Sequence, residues 1–349
     1  MPLSPKAFLT KAETIPIIDV RSPAEFAYGY IPNAHNIPLF SNEERAKVGT
    51  CYKKVGKDAA VLLGLEIVGP KLANFVKEAK KLAPNNELLV HCWRGGMRSG
   101  SFAWLLETAG MQVSTLAGGY KAYRNLILSA LDAPPPLLIL GGKTGSGKTE
   151  ILQALAQKGE QVIDLEGLAN HKGSAFGALG QAPQPSSEMF ENLLYEQWKT
   201  LDPLKPLWLE DESKNIGSVH IPNVLFARMR EAKTIFIAVD FEARVQFLVQ
   251  EYAIFETDFL KTAIDHIAKR LGGQHHQAAL KALEEKDFAT VAKITLVYYD
   301  KAYLHGLAKR TSSTMLPFVF PTINPEANAQ ALLDWVKTKE TSNKQASKS

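Results

Sequence analysis

Residues 137–149 read LLILGGKTGSGKT, an apolar run that leads directly into a glycine-rich loop. The loop matches the pattern G-x-x-x-x-G-K-[ST], in which backbone N–H groups surround a phosphate chain. The lysine of this pattern reaches terminal phosphate oxygens, and the hydroxyl residue can hold Mg²⁺. The sequence therefore predicts a diphosphate or triphosphate site, formed by Gly142, Lys143, Thr144, Gly145, Ser146, Gly147, Lys148 and Thr149.

Short apolar runs alternate with helical patterns on both sides of this loop. The predicted strands are Ile15–Val20, Glu87–His91, Val113–Leu116, Leu137–Leu140, Gln161–Leu165, Leu207–Leu209 and Thr234–Val239. The predicted helices are Lys71–Leu82, Ser99–Thr108, Thr149–Ala156, Glu188–Trp198 and Glu242–Tyr252. This alternation predicts an α/β protein with parallel sheets, in which ligands bind beyond the carboxyl ends of the strands.

The chain is long enough for two domains, because each half of its 349 residues can bury a core of its own. Three prolines within Leu131–Pro136 cannot continue a helix or a central strand, so they indicate a linker. We expect a first domain at residues 1–130, a linker at 131–136 and a second domain at 137–336. Residues 337–349 carry four lysines and one glutamate, and we expect them to be a disordered basic tail.

Composition excludes several classes of protein. With 46% hydrophobic and 22% charged residues, the chain is typical of a globular protein. The start, Met1–Thr10, has no basic and apolar signal pattern, and no apolar run approaches the ~18 residues of a membrane span. We therefore expect a cytoplasmic protein with no membrane partner. The net charge of +4 falls to +1 outside the tail, so any RNA-binding surface must be a local patch.

A second loop carries the candidate nucleophile. Cys92 follows a predicted buried strand and precedes a predicted helix, in the segment His91-Cys92-Trp93-Arg94-Gly95-Gly96-Met97-Arg98-Ser99. Inward backbone N–H groups, a helix N-terminus and the two arginines should lower the pKa of this thiol. We predict Cys92 and Arg98 as catalytic residues. The loop that binds the oxyanion comprises Trp93, Arg94, Gly95, Gly96 and Met97.

Five residues separate Cys92 from Arg98, and such a loop can surround a tetrahedral phosphorus. Two chemistries remain open at this point, namely phosphate-monoester hydrolysis and chalcogen transfer from a phosphorus-bearing donor. The other cysteine, Cys51, has no loop of paired glycines and arginines around it and is interpreted as a bystander. Acidic residues at the end of the predicted strand Leu207–Leu209 can orient Mg²⁺, and Asp211 and Glu212 are the candidates.

The first half resembles a rhodanese domain. The resemblance rests on Asp19–Phe26, Gly29–Ala34, the Cys92 loop and Leu116–Tyr120. This rhodanese-like half is followed by the glycine-rich phosphate loop Gly142–Thr149, which we call the P-loop. With both features, the chain resembles the tRNA 2-selenouridine synthase family over nearly its whole length. Further support comes from Asn42–Arg45, Asn170–Gly177, Glu210–Ser213 and Tyr298–Asp300. Within the second of these motifs we expect contacts from His171, Lys172, Gly173 and Ser174.

The resemblance implies a rhodanese-like parallel-sheet domain followed by a P-loop NTPase-like α/β domain. It also implies a transferase that acts on a 5-substituted 2-thiouridine at the wobble position of tRNA. Geranyl diphosphate would first alkylate the sulfur, and selenophosphate, supplied by selenophosphate synthetase, would then deliver selenium. No tightly bound cofactor is expected, and the phosphate site can hold Mg²⁺. The alternatives are a phosphatase fused to a P-loop kinase or ATPase, and a tRNA-binding adaptor without catalytic activity.

Overall fold

The computed structural model describes residues 1–307 and 315–346, without the side chains of residues 315–317 and 339–346. These residues form two compact units. The first comprises Met1–Leu131 and Glu188–Glu196, and the second comprises Asp132–Ser187 and the described residues from Gln197 onward. Each unit contains a five-stranded parallel sheet, as the α/β pattern predicted.

The sheet of the first unit has the strand order β1-β5-β4-β2-β3. Its strands are β1 (Pro2–Leu3), β2 (Ile17–Asp19), β3 (Ala34–Asn36), β4 (Glu87–His91) and β5 (Gln112–Leu116). Its helices are α1 (Pro5–Lys11), α2 (Pro23–Tyr28), α3 (Asn42–Lys54), α4 (Lys57–Val68), α5 (Leu72–Leu82), α6 (Met97–Thr108) and α7 (Gly119–Leu131). The central strand β4 is buried among hydrophobic side chains on both faces, and its carboxyl end leads into the Cys92 loop.

The sheet of the second unit has the order β12-β11-β6-β8-β7, and a short hairpin joins β9 to β10. The strands are β6 (Leu137–Gly142), β7 (Gln161–Val162), β8 (Leu207–Glu210), β9 (Asn215–Ile216), β10 (Val219–His220), β11 (Lys233–Val239) and β12 (Met315–Phe320). The helices that follow residue 136 along the chain are α8 (Lys148–Gln157), α9 (Leu165–Ala169), α10 (Ser187–Trp198), α11 (Asn223–Glu231), α12 (Phe241–Tyr252), α13 (Thr257–His266), α14 (Ala268–Leu271), α15 (Gly273–Glu284), α16 (Phe288–Leu307) and α17 (Pro325–Ala346). The P-loop therefore follows the central strand β6.

The structure differs from the sequence prediction at two places in the second unit. The strand predicted at Gln161–Leu165 ends at Val162, because Asp164 caps a new helix by accepting a hydrogen bond from the Gly167 N–H at 2.8 Å. Helix α17 continues to Ala346, through most of the segment predicted to be a disordered tail. That segment contains no glycine or proline to end the helix. Residues 347–349 lie outside the described residues.

Residues 188–196 of α10 belong to the first unit, although they lie between two segments of the second. Asn192 is fully buried, and its amide donates to the Tyr30 carbonyl and to the Tyr120 hydroxyl, both at 2.8 Å. Arg124 donates to the Glu188 carbonyl at 3.0 Å and pairs with Glu191. These buried polar contacts hold the inserted helix segment against α7.

Within the helical run Lys57–Leu82, an 18-residue window has the length and composition of a membrane span, with a mean hydropathy of 1.5 and 22% of the window buried. In the fold it is three consecutive elements, because a 3₁₀ turn at Gly69–Lys71 separates α4 from α5. Phe75 and Ala79 of this run are buried in the hydrophobic core of the first unit. A core helix of a globular domain satisfies the same test of length and hydropathy.

Candidate functional site

Cys92 lies at the base of the loop between β4 and α6, and its side chain is 3% exposed. Its Sγ is 3.2 Å from the Ser99 hydroxyl, which lies in the first turn of α6. Burial raises the pKa of the Cys92 thiol, but hydrogen bonds from the Ser99 hydroxyl and from the N–H groups of Ser99, Gly96 and Arg94 outweigh it. The thiol pKa therefore lies below its ordinary value, which favours the nucleophilic thiolate.

The side chain of Arg98 points to a partner that the sequence analysis did not single out. Its guanidinium donates to the two carboxylate oxygens of Glu25 at 2.8 and 3.4 Å. Glu25 is partly buried, which raises its pKa, but Arg98, the Ser22 N–H and Arg45 lower it to about 2. Arg98 is thus anchored as one half of an ion pair, and the thiolate contacts come from backbone N–H groups and Ser99.

The remaining residues of the predicted oxyanion loop have different surroundings. Arg94, Gly95, Gly96 and Met97 are exposed, whereas Trp93 is half-buried with its ring 5.7 Å from that of Tyr120. Gly95 has φ +64°, and a Cβ built there would lie 2.5 Å from the Leu116 carbonyl oxygen.

The turn at Gly118-Gly119 packs directly against the backbone of the Cys92 loop. A Cβ on Gly119 would lie 2.3 Å from the Gly95 nitrogen. The backbones of the turn and of the Cys92 loop are therefore so close that only glycine fits at this position. The N–H of Tyr120 donates to the Cys92 carbonyl at 2.8 Å. The later glycine pair therefore shapes the thiol loop, which explains its place in the rhodanese pattern.

Beneath the thiol loop lies a buried polar cluster. The Arg21 guanidinium donates to both carboxylate oxygens of Asp19 and to the Gly29 carbonyl, and it lies 3.8 Å over the Tyr120 ring. The neighbouring His91 is fully buried, and burial lowers its pKa, so the ring is neutral. These groups are packed without exposure next to the cysteine loop, and among the described residues Arg21 Nη1 and both His91 ring nitrogens have no hydrogen-bond partner.

In the second unit, the P-loop passes from β6 into α8. Gly147 precedes the helix with φ +73°, and Gly145 has φ +75°. Lys148 pairs with Glu210 at 3.2 Å, and the Thr149 hydroxyl donates to Glu210 at 3.2 Å. The lysine and threonine of the motif therefore face the same carboxylate in a buried position.

Three buried carboxylates lie beside Lys148 and Thr149. One oxygen each of Glu166, Glu210 and Glu212 lies within 4.8 Å of the others. Burial, followed by the charge of Glu210, raises the pKa of both Glu166 and Glu212 above the usual range. These carboxylates and the Thr149 hydroxyl provide the oxygen donors that Mg²⁺ prefers, and a cation would relieve their mutual repulsion.

Asp211, one of the two predicted acidic residues, lies outside this cluster. Successive side chains at a strand end point to opposite faces, so Glu210 and Glu212 share one face while Asp211 takes the other. There Asp211 accepts from the Tyr303 hydroxyl at 3.0 Å, and Arg230 lies 3.7 Å away. The same Tyr303 hydroxyl accepts from the Gly142 N–H at 3.0 Å.

The predicted motif at residues 171–174 folds onto the P-loop cleft except for its first residue. Gly173 has φ +64°, and a Cβ there would lie 2.5 Å from a Glu166 oxygen. Lys172 pairs with Glu251, and Ser174 hydrogen-bonds Tyr252 and Tyr299. These three residues line the cleft together with the P-loop. His171 is instead half-buried beside Gly177 and Gly217.

An ion pair that the sequence analysis missed braces the P-loop. Arg244 of α12 is 2% exposed, donates to the Thr144 carbonyl at 2.9 Å and pairs with Asp300 at 2.6 Å. Lys143 also pairs with Asp300, at 3.1 Å. The sequence analysis identified Asp300 as part of the motif Tyr298–Asp300. It did not identify Arg244, the buried partner that lies 56 residues earlier in the chain.

Comparison with known proteins identifies a family for each half of the chain. Residues 135–341 match the family described as the tRNA 2-selenouridine synthase AAA domain, and residues 4–126 match the rhodanese-like domain. The tRNA 2-selenouridine synthase of Hydrogenovibrio crunogenus is 39% identical over 78% of this chain and 80% of its own. That of Psychromonas ingrahamii is 33% identical over 88% and 92%.

Among solved structures, a rhodanese-like domain protein from Staphylococcus aureus aligns with 35% of this chain and 91% of its own. The sequence identity is 24% and the TM-score 0.23. The resemblance noted in the sequence is confirmed by the family match over more than half of the chain and by the coverage of the two relatives. The chain therefore belongs to the tRNA 2-selenouridine synthase family.

Proposed function

We propose that the chain replaces the sulfur of a 5-substituted 2-thiouridine at the tRNA wobble position by selenium, using geranyl diphosphate and then selenophosphate. The observation that carries this proposal is the pairing of two sites in one chain. One is a thiol whose pKa is lowered by a hydrogen-bonding loop, and the other is a complete P-loop facing buried carboxylates. A thiol loop and a diphosphate site match the two chemistries that this exchange requires.

The first step is alkylation at the P-loop cleft. The sulfur of the thiouridine attacks C1 of geranyl diphosphate, an S–C bond forms, and the C1–O bond breaks with its electron pair leaving on diphosphate. The N3 proton of the base is released to solvent. The P-loop N–H groups, Lys148 and Thr149 stabilise the leaving diphosphate. Mg²⁺ held by Glu166, Glu210 and Glu212 would neutralise part of its charge.

The second step uses the thiol loop. The Cys92 thiolate attacks phosphorus of selenophosphate, an S–P bond forms, and the P–Se bond breaks with its electron pair leaving on selenium as hydrogen selenide. Hydrogen selenide adds to C2 of the alkylated base, and geranylthiol departs. Water then cleaves the S–P bond to release phosphate and the thiolate. Alkylation comes first because it converts the sulfur into a good leaving group. The N–H groups of Arg94, Gly96 and Ser99 would stabilise the oxyanion.

The substrate partner is tRNA, the selenium donor comes from selenophosphate synthetase, and the compartment is the cytoplasm. The family membership supports the first assignment. The second is what the sequence resemblance implies, and the third follows from the sequence expectation alone.

The test is a reconstitution on tRNA that carries a 5-substituted 2-thiouridine. Geranyl diphosphate alone should produce the geranylated nucleoside, and later addition of selenophosphate should produce the selenonucleoside, both measured by nucleoside digestion and mass spectrometry. Turnover of an aryl phosphate at Cys92, or phosphoryl transfer from a nucleoside triphosphate, without either nucleoside would instead support the phosphatase–kinase alternative.

A further inference from the structure

An apolar cavity opens next to the P-loop, between α12, α13 and α16. The empty space in and in front of it amounts to about 470 Å³ when its open mouth is included. Its interior is lined mainly by Phe176, Leu248, Leu260, Phe288, Val291 and Ala292. The site described above does not use this cavity, which we call the tail pocket.

The tail pocket adjoins the P-loop cleft, because five residues line both of them. The shared residues are Thr144, Ser174, Leu248, Tyr252 and Tyr299. At this junction the P-loop touches the pocket wall directly, since a Cβ built on Gly145 would lie 3.0 Å from the Leu248 side chain. A diphosphate held by the loop therefore has the mouth of an apolar chamber beside it.

The lining of the tail pocket carries no charge. None of its described lining residues is Asp, Glu, Lys, Arg or His, and the polar atoms at the mouth are hydroxyl groups. Burial raises the pKa of Tyr252 and raises that of Tyr299 to about 12, so both phenols remain neutral at physiological pH. A nucleotide base placed inside would leave its polar atoms without hydrogen-bond partners. A hydrocarbon has no hydrogen bonds to lose, and the burial of its apolar surface favours binding.

We propose that the tail pocket binds the hydrocarbon chain of a prenyl diphosphate whose diphosphate occupies the P-loop. Val291 and Ala292 of α16 and Leu248 of α12 line the chamber and limit the length of chain it accepts. This inference rests on the proposed function, because it assigns the substrate chain to a place in the same unit as the P-loop.

The test is calorimetric titration of the full chain with geranyl diphosphate, dimethylallyl diphosphate and inorganic pyrophosphate. The wild-type protein should bind the ten-carbon diphosphate more tightly than the five-carbon one, and pyrophosphate most weakly. Val291→Phe, which fills the pocket, should weaken geranyl diphosphate at least tenfold while leaving pyrophosphate unchanged. Val297→Phe is the matched control, because Val297 lies on the same helix, is 47% exposed and does not line the pocket.

A second variant covers the case in which Val291→Phe does not fold. Leu248→Ala enlarges the pocket next to the P-loop and should increase the affinity for the fifteen-carbon farnesyl diphosphate relative to geranyl diphosphate. The tail-pocket assignment is overturned if wild-type protein binds geranyl diphosphate no more tightly than pyrophosphate, or if the pocket variants leave chain-length preference unchanged.

These outcomes separate the inference from the proposed function. Geranylation of tRNA with an unchanged KM for geranyl diphosphate in Val291→Phe would place the chain elsewhere and leave the reaction intact. Chain-length discrimination by the tail pocket without any geranylated nucleoside would preserve the prenyl site and overturn the proposed reaction.

Discussion

Replacing Ser99 by alanine should raise the pKa of the Cys92 thiol. The Ser99 hydroxyl lies 3.2 Å from Sγ and is the largest of the contributions that lower this pKa. A hydrogen bond to a charged group contributes about 1.5–3 kcal/mol, and one pKa unit corresponds to about 1.4 kcal/mol. The loss should therefore disfavour the thiolate by about 1.5–3 kcal/mol and raise the thiol pKa, since the thiolate loses a donor and the neutral thiol loses little.

The assay is a pH titration of thiolate ultraviolet absorbance in a Cys51→Ser background, where Cys92 is the remaining cysteine of the chain. Ser101→Ala is the matched control, because Ser101 lies on the same helix but donates to the Met97 carbonyl at 2.8 Å. Selenation by Ser99→Ala should slow at neutral pH and recover as pH rises through the new pKa, while geranylation should not change.

A titration midpoint in Ser99→Ala that coincides with that of Ser101→Ala would refute this reasoning. The loop N–H groups would then set the thiol pKa by themselves, and Ser99 would serve only to pack the first turn of α6.

Three further substitutions address the division of labour between the sites and the support of the P-loop. Cys92→Ser should still make the geranylated nucleoside but not the selenonucleoside, because a hydroxyl is a far weaker nucleophile at neutral pH; loss of both products in a folded protein would contradict this. Lys148→Ala should lose most of its pyrophosphate affinity and fail at alkylation, yet convert tRNA that was geranylated beforehand. Arg244→Met should lower the free energy of unfolding by about 3 kcal/mol in urea denaturation, because Asp300 loses a buried partner and keeps only Lys143. An unchanged urea midpoint would show that the Arg244–Asp300 pair does not brace the loop.

The two loops were predictable because each is contiguous in the chain and carries its own geometry. A strand, a glycine-rich turn and a helix N-terminus determine where backbone N–H groups point, whatever packs around them. The Cys92 loop and the P-loop accordingly lie at the carboxyl ends of the central strands β4 and β6, as predicted. Alternation of apolar runs and helical patterns likewise determined the parallel α/β class.

Contacts between residues that are distant in the chain could not be predicted from local sequence patterns. Nothing in the sequence pairs Arg98 with Glu25, which is 73 residues earlier, or places Glu166 beside Glu210 and Glu212. Asp211 was predicted as an acidic residue of the Mg²⁺ site, but Glu210 is the residue that contacts Thr149. The two neighbouring side chains lie on opposite faces at the end of β8, and packing decides which face borders the P-loop.

The inserted segment 188–196 shows that the sequence can predict a helix without predicting the unit to which the helix belongs. Its helical pattern was predicted from local periodicity, but its membership of the first unit depends on Asn192 finding buried partners on Tyr30 and Tyr120. The sequence by itself determined the chemistry of the two loops, since that chemistry is local. Only the tertiary structure decided which carboxylates, arginines and apolar walls surround each loop, because burial and long-range packing select those partners.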